Sequence, residues 1–164
     1  MLTAVLGNWK VSAIHTYVSG TPLVINCNQN FFGAGANARC SFAPGAASGQ
    51  IPLLNPAWNE ANAFTNPYLN NAAFVLPPNM TYGDTGRRLS YLRTPWTVQE
   101  DVALIKNFNL REKMNFELRA SASNALNRVT FGSPNTTQSS SQFGLFTGQG
   151  NSPRNIQMGA RFSF

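Results

Sequence analysis

Met114-Asn115-Phe116-Glu117-Leu118-Arg119-Ala120-Ser121-Ala122 alternates without a break. Met114, Phe116, Leu118, Ala120 and Ala122 fall on one side, and Asn115, Glu117, Arg119 and Ser121 on the other. A period of two is a strand signal, because successive side chains leave a strand on opposite faces. Just upstream, Asp101-Val102-Ala103-Leu104-Ile105-Lys106-Asn107-Phe108 places Val102, Leu104 and Phe108 on a face that Lys106 interrupts. The polar connection at 109–113 makes the two runs a hairpin.

The same pattern recurs at both ends of the chain. Near the start, Trp9, Val11, Ala13, His15 and Tyr17 oppose Lys10, Ser12, Ile14, Thr16 and Val18, and Ser19-Gly20-Thr21-Pro22 then turns the chain. Near the end, Ile156, Met158, Ala160, Phe162 and Phe164 oppose Asn155, Gln157, Gly159, Arg161 and Ser163. Strands are therefore predicted at about 5–19, 98–109, 113–123 and 154–164. The hairpin and terminal strands have roughly the 9–11 residues that a tilted transmembrane strand needs, and a water-filled lumen tolerates Glu117, Arg119 and Arg161 on the polar face. A soluble sandwich gives the same alternation with its apolar face inward, so periodicity leaves both architectures open.

Composition implies that something other than a charged surface keeps the chain folded. Only 11% of the 164 residues are charged, against about 25% in soluble domains. Aromatics reach 12%, twelve of them Phe. No apolar run approaches the roughly 18 residues of a membrane-spanning helix, but barrel strands leave no such signal. The net charge of +6 comes from scattered Lys and Arg, with Arg87-Arg88 the only tight pair, which argues against a nucleic-acid footprint. Residues 1–9 have neither the basic leader nor the apolar core of a secretory signal, so an export signal is expected upstream.

From about 20 to 95 neither period persists, and Pro, Asn and Gly are frequent. This stretch reads as one long irregular outer loop, tolerable where barrel loops are long on one side. Asn124-Ala125-Leu126-Asn127 breaks the hairpin's second strand, and 133–142 is a polar loop. Cys27 and Cys40 predict a disulfide closing a surface loop, worth about 3 kcal/mol by chain entropy, with two unpaired thiols as the alternative.

Little here suggests catalysis. Glu100, Asp101, Glu112 and Glu117 lack a histidine partner, a nucleophile elbow or metal-ligand spacing, and His15 sits on a face with Trp9 and Tyr17 as an interfacial aromatic. The expectation is no enzyme, no cofactor and no metal. Arg87-Arg88 after Gly83-Asp84-Thr85-Gly86 lacks a phosphate-loop lysine and reads as a solvated turn with Asp84 paired to an arginine. The Asn-Xaa-Thr matches at Asn79 and Asn135 are glycosylation signals only in a eukaryotic secreted protein. The runner-up is a small secreted β-sandwich for carbohydrate binding or adhesion, with Trp9, Trp58, Trp96 and the tyrosines as stacking platforms. It would bury Phe116, Leu118 and Phe162, which a barrel turns toward lipid.

Longer motifs add a resemblance over most of the chain. Gly7-Asn8-Trp9 with Tyr17-Val18-Ser19-Gly20-Thr21-Pro22, then Asn66-Pro67-Tyr68, Ala72-Ala73-Phe74, Pro77-Pro78, Tyr82-Gly83-Asp84-Thr85-Gly86-Arg87 and Leu92-Arg93-Thr94-Pro95, come in order. Phe116-Glu117-Leu118-Arg119-Ala120, Asn124-Ala125-Leu126-Asn127, Phe131-Gly132, Pro134-Asn135, Phe143-Gly144, Pro153-Arg154-Asn155-Ile156-Gln157 and Phe162-Ser163-Phe164 follow. In order and spacing they resemble the C-terminal barrel segment of Oar-like TonB-dependent receptors, outer-membrane proteins abundant in Acidobacteria. The aromatic ending is similar to that of bacterial outer-membrane barrels generally.

The resemblance implies an all-β antiparallel meander forming part of a transmembrane barrel in the bacterial outer membrane. It implies uptake of a large nutrient, such as a metal chelate or an oligosaccharide, with loop residues between 26 and 92 touching ligand. Phe162 and Phe164 would form an assembly signal read by the barrel-assembly machinery, and Met114, Phe116, Leu118, Ile156 and Met158 would face outer-membrane lipid. TonB would act through an N-terminal region. Neither TonB box, plug nor carboxypeptidase-like regulatory domain is found here, and all are expected upstream. Cys27 and Cys40 match no pattern of that family. Five or so strands cannot close a barrel when the smallest single-chain ones have about eight, so the wall is expected to be incomplete.

Overall fold

The structure, a computed structural model, describes residues 6–28, 38–111 and 114–164. Its strands in chain order are β1 Trp9–Val18, β2 Pro22–Leu23, β3 Asn26–Cys27, β4 Ala38–Arg39, β5 Ser41–Phe42, β6 Phe74–Val75, β7 Leu89–Arg93, β8 Thr97–Arg111, β9 Met114–Ser123 and β10 Asn155–Ser163. The predicted start of the first strand at residue 5, together with Glu112 and Lys113, lies outside the described residues. The chain divides into two units.

The first unit, Met1–Val18, Trp96–Thr130 and Asn151–Phe164, is one antiparallel sheet in the order β1-β8-β9-β10. Every long alternating run found in the sequence lies here. The register is continuous: Val102 lies opposite Ala13 and Ala122, and Ala122 opposite Ile156. Partners across an antiparallel pair share a face, so the apolar stripes of four strands merge into one surface. The sheet is not closed, since β1 and β10 have no further partner strand among the described residues.

The turn after β9 has a local cause. Asn124 and Asn127 adopt left-handed backbone, φ +49° and +53°, which asparagine tolerates better than most residues. The Asn124 side chain donates to the Arg128 and Ser152 carbonyls at 2.8 and 3.1 Å and accepts the Arg128 amide at 2.8 Å.

The second unit, Ser19–Pro95 and Phe131–Gly150, contains the stretch expected as a long loop at 20–95 and gives it a core of its own. Three two-stranded ribbons, β2–β7, β3–β4 and β5–β6, frame it. It holds every buried apolar side chain among the described residues, including Ile25, Leu69, Phe74, Leu92, Phe143 and Phe146. Five of these six strands have two residues and β7 has five, too short to show a sustained period, which is why alternation did not reveal them. Two 3-10 turns, Glu60–Asn62 and Asn71–Ala73, are capped by the Asn59 and Asn70 side chains.

Candidate functional site

Two surfaces carry the information about function, the faces of the sheet and the fastened loop unit. On the apolar face, rows run across the strands: Val11, Leu104, Ala120 and Met158, then Trp9, Lys106, Leu118 and Ala160, then Phe108, Phe116 and Phe162. Met114, Phe116, Leu118, Ile156 and Met158, singled out from sequence, all fall on this side. Met158 is 86% and Ile156 63% exposed. No polypeptide layer among the described residues of this unit covers them, as a sandwich would. Phe162 shares the face, its ring 6.2 Å from that of Phe164.

The opposite face carries Lys10, Ser12, Asp101, Glu117, Arg119, Ser121, Gln157 and Arg161, with Ile14 and Ile105 among them. Glu117 lies opposite Arg161. The Asp101 carboxylate accepts from Gln99, Ser123 and the Asn124 amide, the last at 2.9 Å, and so ties the end of β9 to β8.

Three polar residues break the apolar face, each with its own accommodation. His15 stacks on Tyr17 with the ring centroids 6.4 Å apart. Glu100 is buried and accepts the Arg128 Nε at 3.1 and 3.2 Å. Lys106 donates to the Gly7 carbonyl and lies over the rings of Trp9 and Phe108. The Glu100–Arg128 pair escaped sequence reading because the partners are 28 residues apart. Among the described residues no three His, Cys, Asp or Glu side chains gather to hold a metal.

In the loop unit, motifs quoted from the sequence prove to be fasteners. Gly83 packs against backbone, and a Cβ there would lie 2.1 Å from the Arg39 carbonyl oxygen. Thr85 donates through its amide and hydroxyl to the Cys40 carbonyl at 3.1 and 2.7 Å. Asp84 corrects the expected arginine pair: its carboxylate accepts the Phe42 amide at 2.7 Å, because the neighbouring Thr85 is held on the Cys40 carbonyl and brings Asp84 to the β5 backbone. Arg93 Nε donates to the Gly20 carbonyl at 2.6 Å. Tyr68 donates to the Arg93 carbonyl at 2.7 Å, and burial raises its phenol above the ordinary value.

Cys27 and Cys40 are bonded to each other. Both are fully buried in the core of this unit, and residues 29–37 of the loop that the bond closes lie outside the described residues. Trp58, a stacking platform in the lectin reading, instead packs edge-on against Tyr68 at 4.9 Å and against Phe131 at 6.0 Å. Residues 29–37, part of the stretch expected to touch ligand, lie outside the described residues.

An open antiparallel sheet of long strands, apolar on one face and polar on the other, is the wall segment of a β-barrel. A family model described as an outer membrane beta barrel domain matches residues 1–157. The chain belongs to this family, and its place is the bacterial outer membrane. No curated protein and no solved structure matches the chain.

Proposed function

We propose that the chain is the wall and outer-loop portion of a TonB-dependent receptor that imports a large nutrient, a metal chelate or an oligosaccharide. The observation carrying this reading is the pairing of an amphipathic sheet with a separately cored loop unit. A simple pore wall needs only the sheet, whereas a folded loop unit offers a shaped surface to a ligand. The ordered motifs shared with Oar-like receptors support the same reading.

In this reading Met114, Phe116, Leu118, Ile156 and Met158 meet lipid, and Glu117, Arg119 and Arg161 line the lumen. Phe162 and Phe164 are read by the barrel-assembly machinery, TonB acts through an N-terminal plug-bearing region, and the role is transport without catalysis. Exposed apolar side chains on one face support the lipid assignment, since a barrel wall turns its apolar band outward.

The test has two parts. The reading frame upstream of Met1 is expected to encode a plug and a TonB-contacting segment. Cells carrying the intact protein are expected to take up labelled iron chelate or oligosaccharide only while TonB is present. Uptake that is indifferent to TonB would sink the proposal.

A further inference from the structure

The motif Gly83-Asp84-Thr85-Gly86-Arg87-Arg88 sets two arginines beside a carboxylate that does not neutralise them. Asp84 accepts the Phe42 amide at 2.7 Å, and among the described residues neither Arg87 nor Arg88 forms a salt bridge. Both side chains are exposed. An Asp84–arginine pair would have made this a balanced turn, and without one the turn is cationic.

A third guanidinium belongs to the same place. Gly83 lies directly on the backbone of Arg39 and Cys40, where a Cβ would meet the Arg39 oxygen at 2.1 Å, and Thr85 donates twice to the Cys40 carbonyl. Cys40 is buried in the core while Arg39, next to it on β4, is exposed and forms no salt bridge among the described residues. The unit's other cation, Arg93, is tied to the Gly20 carbonyl. Its only other carboxylate, Glu60, begins the 3-10 turn at 60–62. One carboxylate therefore faces three reachable guanidinium groups.

Apolar contact is offered two residues upstream. The Pro78 carbonyl accepts the Thr81 amide at 3.1 Å and the Thr81 hydroxyl at 2.6 Å, closing a turn whose third residue, Met80, has φ +64°. Glycine or asparagine is usual at such a position, and backbone strain of this kind collects at ligand sites. Met80 is 67% and Tyr82 77% exposed.

We propose that Arg39, Arg87 and Arg88 form a binding site for a polycarboxylate, with the carbon frame of the ligand against Met80 and Tyr82. Guanidinium groups present paired N–H donors that match a carboxylate, and an unneutralised cluster draws anions toward it. A metal chelate built on carboxylates and an acidic oligosaccharide share this chemistry, whereas a neutral oligosaccharide lacks it. The inference rests on the reading of the loop unit as the ligand-contacting part of a receptor.

The intact receptor in neutral detergent is titrated calorimetrically with gallium(III) citrate, tetragalacturonate and maltotetraose. An acidic probe is expected to bind about tenfold more tightly than maltotetraose, the worth of one charge-assisted hydrogen bond, and to weaken as salt is raised. Which acidic probe binds identifies the source of the carboxylates. Arg87→Gln combined with Arg88→Gln is expected to erase the margin while the loop unit keeps its protease resistance. Arg39→Gln, on a separate segment, is expected to do the same and carries the test if the double variant unfolds. Maltotetraose bound as well as both acidic probes, binding indifferent to salt, or a margin that survives Arg39→Gln overturns the site. TonB-dependent uptake of maltotetraose together with equal binding removes only this site, whereas uptake indifferent to TonB removes the receptor reading and the site with it.

Discussion

Replacing Gly83 by alanine tests whether the motif at 82–87 fastens the loop unit. The added Cβ would meet the Arg39 oxygen at 2.1 Å, the Cys40 oxygen at 2.2 Å and the Cys40 carbonyl carbon at 2.5 Å. All three are backbone atoms, so no rotamer change relieves the clash. Retreat of the 83–85 segment breaks the two Thr85 hydrogen bonds to Cys40 and the Asp84 bond to Phe42. At about 1 kcal/mol per hydrogen bond, with about 1–3 kcal/mol for overpacking, the loss is on the order of 4 kcal/mol. That is close to a thousandfold, taking about 1.4 kcal/mol per factor of ten.

The assay is cleavage of the intact protein in outer membranes by added protease, under conditions where the rate follows the population of the opened unit. Gly86→Ala is the control from the same motif, because its Cβ meets only Arg88 oxygen at 3.5 Å and a Leu89 methyl at 3.6 Å, ordinary contact distances. Faster cleavage of Gly83→Ala, with Gly86→Ala like wild type and the sheet still heat-modifiable on gels, is expected. Equal cleavage of both variants would refute the fastening argument.

Replacing Cys27 and Cys40 together by alanine removes a cross-link spanning 13 residues and is expected to destabilise the loop unit by about 3 kcal/mol, read by the same proteolysis. Reductant added to the folded protein is expected to change nothing, because both sulfurs are buried. Tyr68 gives a pH dependence. Its folded-state pKa is raised by burial above 10.0, so its contribution is complete below pH 10.0 and is lost as pH rises through the raised value. Protease resistance should fall in that alkaline window in wild type and fall less steeply in Tyr68→Phe, with parallel curves counting against it. Phe164→Ser in the full-length protein is expected to reduce outer-membrane yield several-fold, and unchanged yield on immunoblots would argue against an assembly role.

The sheet was legible because its strands are long enough for a period of two to repeat, and because one register carries the apolar stripe across all four. Lys106 was visible as an interruption. Its aromatic surround was not, since Trp9 reaches it from another strand and only the register brings them together. The loop unit hid for the opposite reason: its ribbons pair two residues at a time, and its core joins Leu23 and Ile25 to Phe143 and Phe146 across more than a hundred positions. Asparagines that looked like generic loop composition are specific links, as where Asn55 Nδ2 donates to Asn66 Oδ1 at 3.0 Å and to the Pro67 carbonyl at 2.9 Å. The sequence reads this region as one long irregular loop, and motif residues alone could not say what each one holds.

The pairing of β2 with β7 has a kinetic consequence. Pro22 lies opposite Arg93, and Thr21 and Thr94 exchange hydrogen bonds at 2.9 and 3.0 Å, so the excursion from Ser19 to Pro95 is cinched at its base. Bringing the ends of so long a flexible tether together costs about 4 kcal/mol of chain entropy, which would otherwise fall on the first contacts between β1 and β8. The bridge between Phe131 and Gln149 cinches the second excursion in the same way. With both bases closed, β1 and β8, and β9 and β10, are linked as β8 and β9 already are, by chain ends held close together. The two long excursions are thus each closed by pairing at their own bases, independently of the sheet.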